Sequence, residues 1–94
     1  MFIISLTYTC DISEIERFLP AHIAYLDRHY AANELLMSGR KNPRTGGVII
    51  AVTETLQALD KILDDDPFKI NNLAHYEITE FIPSKINLHL FNEI

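Results

Sequence analysis

Cysteine, glycine and basic side chains are all scarce in this 94-residue sequence, and each shortage removes a class of protein. The single cysteine, Cys10, has no second thiol with which to close an intrachain disulfide, unlike the small secreted scaffolds stapled by several. With 3 glycines there is no GxGxxG and no P-loop, and neither HExxH nor a paired-cysteine zinc pattern is present. Thirteen acidic residues outnumber 8 basic ones, for a formal net charge of −5, and the basic side chains are nowhere denser than the scattered Arg40, Lys41 and Arg44. Nucleic-acid binding along a phosphate backbone needs a positive stripe that displaces counterions, so no nucleic-acid partner is expected. No apolar run approaches the ~20 residues of a membrane-spanning helix. Met1 to Tyr8 include Ser5 and Thr7 and lack a basic leader and a small-residue cleavage site. The expectation is a soluble, cytoplasmic protein without a membrane partner.

What is present is enough for one core. Hydrophobic residues make up 48% of the chain and charged residues 22%, an ordinary globular balance for a single domain. Phe2 to Tyr8 alternates, with Phe2, Ile4, Leu6 and Tyr8 on one face and Ile3, Ser5 and Thr7 on the other, which predicts a strand. From Ile12 the apolar spacing becomes helical, through Ile15, Phe18, Leu19, Ile23, Leu26 and Tyr30. Pro20 interrupts that stripe and suits a first turn better than a helix interior, so the expectation is a short turn over 12–18 and a main helix from Pro20 to Ala32. Asn33 is a reasonable stop. Leu35 to Arg40 and Val48 to Val52 read as strands joined by a loop containing Pro43, Gly46 and Gly47. The second of these is apolar throughout, as in a strand covered on both faces.

Thr53 or Thr55 can cap a second helix carrying Leu56, Leu59, Ile62 and Leu63, and Pro67 ends it at Asp66. Leu73 to Ile82 alternates again, with Ala74, Tyr76, Ile78 and Ile82 on one face. Beyond Pro83 the tail keeps Ile86, Leu88, Leu90 and Phe91, too apolar for a free end, and is expected to pack on the domain or on a partner subunit. The order β-α-β-β-α-β fits the α+β, ferredoxin-like plan of an antiparallel sheet with both helices on one face. Ile3, Ile49, Ala51 and Phe81 are assigned to the other face with Ser5, Thr7, His75 and Glu77, a mixed surface better suited to a homodimer interface or a ligand cavity than to bulk water, with a dimer as the default.

Two residues stand out chemically. His22 lies in an otherwise apolar stripe, and a helix beginning near Pro20 would put it in the first turn, where the positive end of the dipole favours the neutral, basic imidazole. A core histidine satisfied by a carbonyl is the commoner role for such a pattern. Asp64, Asp65 and Asp66 end the second helix, where the dipole disfavours negative charge. Asp64 and Asp65 read as a solvated helix end. Asp66 differs because Pro67 restrains its backbone, and a carboxylate on one imidazole nitrogen would orient the ring and stabilise the imidazolium. Ser38 could orient a substrate oxygen and Arg40 neutralise an anion, although a surface strand end explains them equally well. His29, His75 and His89 show no ligand spacing with His22, so no metal is expected.

The run His22-Ile23-Ala24-Tyr25-Leu26, the Ser38-Gly39 pair, the Gly46-Gly47 pair and Asp66-Pro67-Phe68, in this order, resemble the YciI-like (YCII-related) family over residues 1–82, leaving 83–94 as a tail. The resemblance implies a ferredoxin-like fold assembled as a dimeric α+β barrel, with a site formed by the histidine and aspartate of these motifs, here His22 and Asp66. Family members with an assigned reaction are few. One eliminates chloride from a chlorinated hydroxyhydroquinone, which requires proton transfer and no redox cofactor. The sequence departs from the pattern at Arg40, where many relatives have proline after the glycine.

Together these readings predict a cofactor-independent lyase or isomerase. His22 and Asp66 form its catalytic dyad, and Ser38, Arg40 and Tyr25 contact a small oxygenated, anionic substrate. The rival is a non-catalytic small-molecule-binding dimer. A His22 imidazole within hydrogen-bond reach of Asp66, in a cavity, separates the two.

Overall fold

The computed structural model of the protein describes residues 1–91. Phe2–Tyr8 forms β1, and its alternation is realised directly: Phe2, Ile4 and Leu6 are buried while Ile3 and Thr7 are exposed. Helix α1 then runs unbroken over Ile12–Ala31, with Pro20 in its interior. The expected break at Pro20 is therefore corrected, and with it the placement of His22 in a first turn. The helix is held on both sides of the proline by buried side chains, Ile15 before it and His22 and Tyr25 after it. Burial of large apolar side chains contributes roughly 1.5–3 kcal/mol each, enough to offset the roughly 3 kcal/mol that an interior proline costs. Pro20 itself is exposed, so water can serve the Glu16 carbonyl that it leaves without an amide donor.

Asn33 ends α1 as expected, in the left-handed region at φ 58°. Its N–H donates to the Tyr30 carbonyl and that of Glu34 to the His29 carbonyl, closing the helix with paired terminal bonds. β2 (Leu35–Arg40) and β3 (Gly46–Ala51) form the hairpin. Helix α2 (Leu56–Asp64) is capped by Thr55, whose hydroxyl accepts from the Ala58 N–H at 3.1 Å. A short helix α3 (Pro67–Ile70), absent from the expected elements, follows at once. It precedes β4 (Ala74–Glu80) and a terminal turn of helix, α4 (Leu88–Phe91).

The sheet order is β2-β3-β1-β4, with each neighbouring pair antiparallel. This is the ferredoxin-like arrangement, with the core between one sheet face and the helices: Phe2, Ile4 and Leu6 pack with Ile15, Tyr25, Leu59, Ile62 and Phe68. β1 and β3 approach closely at Gly46, where a Cβ would stand 1.7 Å from the Leu6 carbonyl oxygen.

Register corrects one assignment of faces. Ile49 pairs with Ile4 and Ala51 with Phe2, so both lie on the helix-covered face, and Val48 and Ile50 take the open one. A strand that is apolar at every position carries no alternation, and only its pairing tells which side chains turn inward. Past β4, Ile82 is 90% exposed and Ile86, Leu88 and Leu90 are exposed as well. The last part of the expected tail, 92–94, lies outside the described residues.

Candidate active site

The site is built where α1, α3 and the sheet meet. Asp66 is the N-cap of α3, its backbone extended at φ −74° and ψ 121°, with Pro67 opening the helix behind it. Its Oδ1 accepts the Phe68 N–H at 3.0 Å, the usual duty of an N-cap carboxylate. That cap turns the carboxylate inward, and Asp66 is 0% exposed. Midway along α1, His22 presents its ring from the buried stripe and is 8% exposed.

The two side chains meet. His22 Nδ1 lies 2.7 Å from Asp66 Oδ1. The remaining oxygen, Oδ2, accepts the Tyr76 hydroxyl at 2.5 Å. An ionised carboxylate only accepts hydrogen bonds, so Nδ1 is the ring nitrogen that donates to Asp66. Nε2 has no protein partner among the described residues, and His22 lines a cavity of about 240 Å³. The ring is held flat against Phe68, with centroids 3.9 Å apart.

The cavity opens between α1 and the β2–β3 end of the sheet. Leu19, Ile23, Leu26, Ile49 and Phe68 make its walls apolar, and Ser38, Arg40 and Arg44 bring polarity and positive charge to one end. Arg40 has no ion-pair partner among the described residues. Arg44 pairs with Glu16 of α1 at 3.3 Å. The Ser38 hydroxyl is fixed by the Tyr30 hydroxyl at 2.7 Å. Ser38 and Arg40 thus share the cavity with His22, because alternation on β2 puts both on the helix side.

Tyr25, expected to contact substrate, does not join them in lining the cavity. It is 0% exposed, packs in the core, and contributes nothing to the cavity wall. Its hydroxyl is buried without a hydrogen-bond partner among the described residues. Burial, followed by the nearby Asp66 charge, pushes this phenol above its ordinary pKa. The reason for its placement is helical geometry: Tyr25 follows His22 by three residues and falls on the same buried stripe, but one turn deeper.

The other aspartates have partners of their own. Asp65 receives Arg28 and His29 at 3.1 Å each, and the Arg28 and then the His29 hydrogen bond hold its carboxyl below the usual range. Asp64 pairs with Lys69 at 2.7 Å. Arg28 and Lys69 offset the unfavourable dipole at the end of α2. Among the described residues no group of three or more His, Cys, Asp or Glu side chains could hold a metal ion, and no helix is long and apolar enough to cross a membrane.

Tyr76 is a site residue that sequence reasoning does not find. Its inward direction is readable from the alternation of the last strand, but its contact with Asp66 follows from the pairing of Tyr76 with Leu6 on β1, which no local pattern reveals.

Fold and site together define a ferredoxin-like α+β domain with a buried histidine–carboxylate pair beside a small, largely apolar cavity. Residues 1–82 match the YCII-related domain, and the chain belongs to that family. No curated protein matches it. Among solved structures it is similar to the 5-chloro-2-hydroxyhydroquinone dehydrochlorinase of Burkholderia phenoliruptrix in complex with 2,5-dihydroxybenzoquinone. That likeness has a TM-score of 0.74 and covers 94% of this chain and 96% of that chain at 19% sequence identity, which establishes a common fold.

Proposed function

We propose that the protein is an enzyme acting on a small molecule, a cofactor-independent lyase or isomerase in which His22 moves a proton and Asp66 orients it. The observation that carries this reading is the 2.7 Å contact between His22 Nδ1 and a fully buried Asp66, with the opposite ring nitrogen left to a cavity. Nε2 takes a proton from an acidic O–H or C–H of the substrate, and the pair of electrons released enters the ring system. In an elimination, a leaving group such as halide departs with the electrons of its own bond, so no oxidant is consumed. In an isomerisation, the imidazolium returns the proton at another atom.

The substrate is a single oxygenated ring or enol bearing negative charge. A cavity of about 240 Å³ accommodates a substituted ring, since an apolar cavity of roughly 150 Å³ takes up benzene. Arg40 and Arg44 face the charge that develops on oxygen, and Ser38 positions an oxygen by hydrogen bonding. The dehydrochlorinase of similar fold acts on a ligand of this kind, which supports the choice of class. A cytoplasmic homodimer, joined through the open sheet face and with the exposed tail seated on the partner, belongs to the same proposal.

The test is a screen of halogenated and hydroxylated aromatics and lactones read by mass spectrometry, followed by variants. His22→Ala and Asp66→Asn should each lower kcat by ~10²- to 10⁴-fold. Arg40→Ala should chiefly raise KM. Turnover of an identified substrate that survives both dyad variants unchanged would overturn the mechanism.

A further inference from the structure

We propose that Tyr76 is a positioning residue for the His22–Asp66 pair, fixing the carboxylate in rotation and drawing off part of its charge so that the imidazole feels a weakened partner. The consequence for rate rests on the acid–base reading above, whereas the geometric part does not.

The Asp66 carboxylate is fully buried, so each of its oxygens needs a donor from the protein. Oδ1 has two, the His22 ring at 2.7 Å and the Phe68 N–H at 3.0 Å. Oδ2 has the Tyr76 hydroxyl at 2.5 Å. Without that phenol a charged oxygen would be buried with no donor, and the carboxylate could turn about its Cβ–Cγ bond and exchange the oxygen it offers to His22. Tyr76 stands on β4 opposite Leu6, and Leu6 lines the cavity while Tyr76 does not. The same strand pairing that builds the cavity wall therefore seats the phenol behind Asp66, out of reach of a substrate.

The phenol remains a donor across the working range. Burial, then the Asp66 charge and the hydrogen bond itself, push it above its ordinary pKa. Donors on one carboxylate compete, because each withdraws electron density from the oxygens the others use. Removing the Tyr76 hydroxyl should strengthen the bond from His22 Nδ1–H while loosening the carboxylate that anchors it.

Proton NMR on the full chain without substrate tests this, using the His22 Nδ1 proton assigned by its loss in Asp66→Asn. In Tyr76→Phe that resonance should move downfield of its position in the unmodified protein. In protein carrying 3,5-difluorotyrosine at position 76, whose more acidic phenol donates more strongly, it should move upfield. The second replacement keeps the hydroxyl in place and serves if Tyr76→Phe does not fold. A resonance that stays put, or moves in the same direction in both proteins, overturns the inference, since mere loosening of the fold would not reverse sign with donor strength.

With a substrate in hand, Tyr76→Phe should lower kcat at least tenfold and leave KM within about twofold, as expected for a residue acting through the dyad rather than on the ligand. The two proposals fail separately. Opposed NMR shifts with full turnover in His22→Ala would refute the proposed chemistry alone, and absent shifts with turnover abolished in His22→Ala would refute the role of Tyr76 alone.

Discussion

The imidazole of His22 lies flat on the ring of Phe68, with centroids 3.9 Å apart and planes within 4° of parallel. Phe68 acts twice on the site, since its backbone N–H binds Asp66 while its ring supports the residue that Asp66 orients. Stacking limits the imidazole to rotation in its own plane, and the bond to Asp66 fixes that rotation. Phe68→Leu keeps the backbone donor and much of the buried volume but removes the flat support. It should cost about 1–2 kcal/mol in urea denaturation and lower kcat disproportionately. Phe68→Ala should cost roughly 3–5 kcal/mol, a large part of the stability of a domain this size.

Pro20 gives a prediction of opposite sign. It is exposed in the interior of α1 and withholds a hydrogen bond from the Glu16 carbonyl, so Pro20→Ala should stabilise the protein by about 1–3 kcal/mol. Thermal denaturation followed by circular dichroism reads this as a raised Tm. A lowered Tm would mean that the proline is itself required for Ile15 and Tyr25 to pack.

Two phenols, one buried and one half-buried, differ in their partners, and the difference should be measurable. The Tyr25 hydroxyl is buried with no partner among the described residues, so Tyr25→Phe should stabilise the fold by about 1 kcal/mol. The Tyr76 hydroxyl satisfies a buried carboxylate oxygen, so Tyr76→Phe should destabilise it by about 1–3 kcal/mol. Denaturant midpoints compared at one pH decide both, and equal signs would show that the partner contacts are misassigned.

The same phenols set an alkaline limit. Both have pKa values raised above the ordinary tyrosine value near 10, Tyr76 and Tyr25 alike through burial first and the Asp66 charge second. A raised folded-state pKa contributes stability in full below the unfolded value, and that contribution is lost as pH rises beyond it. Stability should therefore hold up to about pH 10 and fall above it, with a gentler slope in Tyr76→Phe. Asp65 acts in the reverse sense, since its depressed carboxyl contributes in full above its unfolded value near 4 and loses that contribution as pH falls below it. The stability of Asp65→Asn should lie below that of the unmodified protein at neutral pH and converge with it in acid, as read by urea midpoints across pH.

Much of the fold is readable in the residues because the signals are local and periodic. The first and last strands alternate, the stripe of α1 recurs at helical spacing, and Thr55 and Asn33 carry the cap and stop that their positions require. Local preference misleads where packing or pairing overrides it. The break expected at Pro20 does not occur because burial on both sides outweighs one proline, and Ile49 and Ala51 lie on the face opposite to the expected one because a uniformly apolar strand has no period. α3 is not legible because four residues are too few to show a helical stripe.

For the site, sequence alone singled out His22 as an odd polar residue on an apolar stripe and Asp66 as an aspartate held by a following proline. The composition also excluded a disulfide scaffold and a phosphate-tracking surface. Only tertiary structure decided that the two residues, 44 positions apart, lie 2.7 Å from each other. It also seated Tyr76 behind them and withdrew Tyr25 into the core. The reason is physical: periodicity and capping act over a turn of helix or a pair of residues in a strand. Contact between distant side chains is set by strand register and by the packing of α1 against α3, and these exist only once the chain has closed on itself.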